Sequence, residues 1–114
     1  MEITKGDNKS FKFQRKTKNG EVITDLPDEI YITFKPNAYD EKALFQKRLG
    51  DSTIKFNEDT NHYEFEIIPS DTDDLNYGTY YFDIELISNG KKKTIHKGEL
   101  EITKQYTFPA NEVE

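Results

Sequence analysis

A side-chain period of two runs through most of the chain and restricts it to strands. In Glu29-Ile30-Tyr31-Ile32-Thr33-Phe34-Lys35 the apolar Ile30, Ile32 and Phe34 fall on one face. Tyr31, Thr33 and Lys35 fall on the other, because successive residues of a strand point to opposite sides. Residues 62–68 repeat the pattern, with Tyr63, Phe65 and Ile67 against Glu64 and Glu66. Residues 79–86 set Tyr80, Phe82, Ile84 and Leu86 against Tyr81, Asp83 and Glu85, and in a last strand beginning near Lys92, Leu100 and Ile102 oppose Glu99, Glu101 and Thr103. Near the N-terminus Phe11 and Phe13 alternate with Lys12 and Gln14; shorter candidates are 2–4, 21–24, 44–48 and 53–56.

Turn chemistry separates these runs. Asn19-Gly20 and Asn89-Gly90 supply the positive φ that tight hairpins require. Pro27, Pro36 and Pro69 stand at or just beyond strand ends, where a missing amide proton is tolerated. Residues 37–43 and 70–75 each fit a helical turn, the second with Ser70 as N-cap and acids in its first turn. Neither is long enough to build a second layer. About eight short strands at roughly ten-residue spacing imply an all-β sandwich or barrel.

The 114 residues fit one domain. Ile, Leu, Val and Phe supply 27 of them, above the roughly 20% below which chains stay disordered, so one core can form. Residues 1–106 are expected to form the sandwich, and 107–114, with Pro109 and a polar end, a tail leaving it. Without cysteine there is no disulfide framework, thiol nucleophile or thiolate zinc site. No apolar run reaches the ~18 residues of a membrane span, and the residues after Met1 lack the apolar region of a signal peptide.

The residues offer little for catalysis, and a non-enzymatic protein is expected. Asp71, Asp73 and Asp74 are the densest acidic group, but they lack the glycine-bearing spacing of a calcium loop and read better as a capped turn. His62 and His96 are far apart in sequence, with no HExxH or HxH pattern, and no serine has a GxSxG context. No metal or cofactor is expected. Lysines cluster at Lys91, Lys92, Lys93 and Lys97, and again with Arg15 at Lys12, Lys16 and Lys18. At a net charge of −6 with only two arginines, these fit guarded strand edges better than a nucleic-acid surface. Tyr31 and Tyr81 alternate outward and Tyr39 lies in a loop, which makes the three the candidate partner-binding residues.

The most informative stretch is Leu75-Asn76-Tyr77-Gly78-Thr79-Tyr80-Tyr81-Phe82-Asp83-Ile84. Immunoglobulin-like sandwiches place a tyrosine two residues before an inward position at the start of one strand, and its hydroxyl bonds back to the preceding corner. Tyr80 and Phe82 match these places, with the apolar Phe82 where antibody domains carry cysteine. Gly78 is expected to let the chain pass close to the opposing sheet. The expected architecture is therefore an immunoglobulin-like antiparallel β-sandwich of about seven to nine strands.

The order of motifs resembles a family of small immunoglobulin-like proteins of phages and prophages of Gram-positive bacteria, and is similar to the N-terminal domain of phage baseplate upper proteins. The resemblance rests on Ile3-Thr4-Lys5-Gly6-Asp7, Phe11-Lys12-Phe13-Gln14-Arg15-Lys16, the run from Ile30 to Lys35, and Phe45-Gln46-Lys47-Arg48-Leu49-Gly50. It continues through Ile68-Pro69-Ser70-Asp71-Thr72, the run from Tyr77 to Ile84, Lys93-Thr94-Ile95 and Gly98-Glu99-Leu100-Glu101-Ile102-Thr103.

What the resemblance implies is a tail, baseplate or capsid-associated virion protein that docks or adheres, with other particle proteins as partners. It implies no catalytic residue. It is compatible with a homo-oligomer and with a host-surface glycan, and implies host cytoplasm during assembly and the virion afterwards. Two other functions fit the composition. An intracellular inhibitor of a host defence enzyme would need a contiguous acidic face, and a carbohydrate-binding module would need coplanar exposed aromatics.

Overall fold

The alternating runs pair into two stacked sheets in the computed structural model, which describes residues 1–39 and 42–104. In chain order these residues form β1 (Glu2–Thr4), β2 (Lys9–Phe13), β3 (Glu29–Lys35), β4 (Phe45–Arg48), β5 (Ile54–Asn57) and β6 (His62–Ile67). A single helical turn, α1 (Pro69–Thr72), precedes β7 (Gly78–Ser88) and β8 (Lys91–Thr103). One sheet has the order β1-β8-β7-β3-β4 and the other β2-β6-β5. All pairings are antiparallel except β1 with β8. This is the immunoglobulin-like all-β sandwich that the alternation and the tyrosine motif imply.

The inward residues make the core. Ile30, Ile32 and Phe34 of β3, Tyr63, Phe65 and Ile67 of β6, Phe82, Ile84 and Leu86 of β7, and Leu100 and Ile102 of β8 are all buried. Phe34 ties the sheets together: its ring centroid lies 4.3 Å from Phe45 and 5.6 Å from Phe82 in its own sheet, and 6.4 Å from Phe65 in the other. Each such ring or branched side chain contributes about 1.5–3 kcal/mol on leaving water.

The β7–β8 hairpin turns where Asn89-Gly90 suggests, with φ of 52° and 76°, the two positive values of a type I′ turn. Asn19-Gly20 behaves differently. Gly20 has φ 85° and donates to the Thr17 carbonyl, but the residues after it make only the isolated bridge Lys16↔Val22. The strand expected at 21–24 is therefore absent; Val22 and Leu26 remain exposed, so this segment has little apolar surface to bury in either sheet.

Three further expectations change. Ser70 is not an N-cap: Pro69 takes the first helical position, where its missing N–H costs nothing, and Ile68 becomes the cap residue. The helical turn then ends at Thr72 rather than at residue 75. Gly78 does not mark a close approach, since a Cβ there would meet no atom within 4 Å; it is needed for its φ of 139°. The close approach belongs to Gly98, where a Cβ would lie 2.6 Å from Phe82 Cζ. Over 37–43 the chain bends and turns as far as Tyr39, while Asp40 and Glu41, like the 107–114 tail, lie outside the described residues.

Candidate interaction site

The outward face of the five-stranded sheet carries the most varied surface chemistry. Register fixes its layout: Tyr31 lies opposite Glu85 and Arg48, and Tyr81 lies opposite Lys35 and Glu99. The two tyrosines share the face but do not touch. Tyr31 and Lys35 are four residues apart on β3, which at about 3.3 Å per residue places the rings roughly 13 Å apart along the strands.

Tyr31 sits in a closed charge cluster. The Arg48 guanidinium carbon lies 4.9 Å from its ring centroid, and Arg48 Nη2 is 3.1 Å from Glu29 Oε2. Glu29 Oε1 also accepts from the N–H groups of Gly50 at 2.8 Å and Ile30 at 3.0 Å. Burial pulls the Glu29 pKa upward, but these donors and the Arg48 charge outweigh it and hold the carboxyl below its ordinary range. Glu29 is thus fully engaged at this end of the face, while Arg48 Nε is buried with no hydrogen-bond partner among the described residues.

Tyr81 lies at an open depression of about 310 Å³ whose walls include Lys35, Ala38, Asp83, Lys97 and Gly98. Lys35 Nζ is 3.0 Å from Asp83 Oδ2, while Asp83 Oδ1 is buried with no hydrogen-bond partner among the described residues. Tyr39 is 95% exposed and follows Ala38 directly, so the loop after β3 brings it to this same end. Register thus separates Tyr31 from Tyr81, while Tyr39 adjoins the depression only through its chain neighbour Ala38. Sequence alternation shows that Tyr81, Lys35 and Asp83 point outward, but only register makes them neighbours.

A second groove, about 590 Å³, spans the three-stranded sheet. Ser10 and Lys12 of β2, Lys55 of β5, and Glu64 and Glu66 of β6 line it, with Ile68 at its end. Its charges alternate in sign, and it holds none of the three candidate tyrosines.

The remaining candidates have structural places. Tyr80 and Phe82 form the corner and its inward plug, since the Tyr80 hydroxyl donates to the Asn76 carbonyl at 2.7 Å and Phe82 is 7% exposed. Asp71 contacts Lys47 Nζ at 2.6 Å and accepts from the Ile68 N–H at 3.0 Å. Among the described residues no group of three or more His, Asp or Glu is placed to hold a metal ion. His62 begins β6, and His96 on β8 lies 5.7 Å from the Phe82 ring.

No protein-family model matches the chain, and no curated protein matches it.

Proposed function

We propose that the chain is a non-enzymatic docking domain of a phage or prophage particle, associated with its tail, baseplate or capsid. One observation carries the docking part: half-buried Tyr81 and the Lys35–Asp83 pair line an open depression on the sheet, and exposed Tyr39 directly follows Ala38 of its wall. Tyrosine supplies stiff contact area at low entropic cost, and a fixed ion pair beside it orients a partner. The particle part is supported by the ordered motifs that resemble small phage immunoglobulin-like proteins. Many weak contacts suffice when copies repeat on a particle.

Lys35–Asp83, Lys92–Glu85 and Arg48–Glu29 interleave charge signs across this face, whereas an acidic mimic of nucleic acid needs one sign. Tyr31 stands apart from Tyr81 beneath Arg48, whereas a glycan platform needs coplanar rings.

The test is mass spectrometry of purified particles from an induced culture of the bacterium encoding the chain. Peptides of this protein at fixed stoichiometry with particle proteins, lost when Tyr39 and Tyr81 are replaced by alanine, are expected. Protein abundant in the lysate but absent from intact particles would overturn the particle assignment.

A further inference from the structure

β8 is thirteen residues long and bonded along one side to β7 from Lys91 to Ile102. Its other side is covered only at the far end, where β1 pairs through Glu2↔Glu101, Ile3↔Ile102 and Thr4↔Thr103. The Met1 carbonyl adds one bond from the Glu101 N–H. Among the described residues, 91–98 therefore form an open sheet edge, and all of them except half-buried Gly98 are exposed. A typical strand has about 5–6 residues, so this edge is long enough to take a complete one.

Its charge is opposite to that of the molecule. The chain carries −6 overall, yet Lys91, Lys92, Lys93 and Lys97 lie on this edge. Lys92 is bound to Glu85 at 3.1 Å. Lys91, Lys93 and Lys97 make no ion pair with any described residue. A bulge between Ile84 and Glu85 leaves Ile95 as an extra residue between the pairs Glu85↔Thr94 and Ile84↔His96, and its side chain is 37% exposed. Among the described residues the edge thus offers two short ladders of backbone groups, three free cations and one apolar contact.

The same lysines disfavour a second copy as occupant. In an antiparallel self-pairing centred on Thr94 or Ile95, Lys97 of one chain meets Lys91, Lys92 or Lys93 of the other. Directly opposed like charges destabilise strand pairs, and edge lysines protect sheets in this way. An acidic strand meets no such repulsion.

We propose that residues 91–98 of β8 dock an extended acidic segment of a partner protein, which adds to the sheet in line with β1. Backbone bonds on either side of the bulge hold the segment, and Lys91, Lys93 and Lys97 select its charge. This edge adjoins the Tyr81 depression at Thr94, Lys97 and Gly98, and the proposal does not depend on the particle assignment.

The full chain, labelled for NMR, is titrated with a peptide of about ten residues alternating Glu with Val and Thr, with a Lys-for-Glu counterpart, and with inorganic polyphosphate. The Glu peptide is expected to slow hydrogen exchange at those amides of 91–98 that point away from β7, and the Lys peptide is not. Lys91→Glu/Lys93→Glu/Lys97→Glu is expected to weaken the Glu peptide on the order of tenfold, as for three exposed charge contacts, and to admit the Lys peptide. Should the triple variant unfold, Lys93→Glu alone gives the same readout at smaller amplitude. Glu-peptide binding without protection at 91–98 would overturn the proposal. So would equal binding of polyphosphate and the Glu peptide, since the edge would then recognise a polyanion rather than a strand.

Discussion

The Tyr80 hydroxyl donates to the Asn76 carbonyl at 2.7 Å, across four residues of chain. The bond fastens the start of β7 to the loop that leaves α1, at the point where the chain crosses from the three-stranded sheet to the five-stranded one. Tyr80→Phe removes only the hydroxyl and frees the corner. The expected loss is about 1 kcal/mol, or about 4 °C in melting temperature. An unchanged melting temperature would show that packing alone sets the corner.

Tyr63 should respond in the opposite direction. Its side chain is fully buried, and its hydroxyl has no hydrogen-bond partner among the described residues. A buried hydroxyl without a partner costs about 1–3 kcal/mol, so Tyr63→Phe is expected to be neutral or stabilising. Its ring contacts with Phe13 and Phe56, at 5.2 and 4.8 Å between centroids, are kept. Clear destabilisation in a denaturant titration would reveal a partner for the hydroxyl.

Lys47 and Asp71 join the two halves of the sandwich. Lys47 projects from the inner side of edge strand β4, and Asp71 lies on α1, directly after β6 of the other sheet. Their side chains are only 8% and 15% exposed. Asp71→Ala strands the ammonium and also removes the acceptor of the Ile68 N–H, an expected loss of about 3 kcal/mol. Lys47→Met keeps an apolar stem in place and should cost less. The double variant should lose less than the sum of the two, which a double-mutant cycle on denaturant midpoints would measure.

Acid should weaken the Glu29 cluster. Because the folded pKa of Glu29 lies below its ordinary value near 4.5, its contribution is complete above that value and is lost as pH falls through the lower folded one. Asp51, held low by the Thr53 hydroxyl and N–H, follows the same sign from its ordinary 3.8. Glu29→Gln is therefore expected to melt earlier than the parent at pH 7, with the gap narrowing below about pH 4.5. A gap that stays constant on acidification would assign the effect to packing rather than charge.

Gly98→Ala tests the close approach of β8 to Phe82. The added methyl would lie 2.6 Å from the ring's Cζ, so the ring or the strand must shift. Overpacking of this kind costs about 1–3 kcal/mol. Gly78→Ala also destabilises, through its φ of 139° rather than by contact. Adding Phe82→Leu should relieve the first variant and leave the second unrelieved, as read from thermal melts.

The strands and their inward faces were readable in the sequence because side-chain alternation is a local property: Ile30, Ile32 and Phe34 alternate along the chain and are the residues buried in the core. The Asn89-Gly90 hairpin and the Tyr80 corner were legible for the same reason, since each is set by a few consecutive residues. The chain's own composition also disfavoured cysteine chemistry and a helical layer. Register is not local. Only the pairing of β3 with β7 brings Tyr81 beside Lys35 and parts it from Tyr31, and only the short reach of β1 leaves residues 91–98 uncovered among the described residues. Lys47 meets Asp71, and Gly98 meets Phe82, because sheets and strands stack at fixed distances over residues remote in sequence. Such meetings depend on how the whole chain closes, and no single window of residues encodes them.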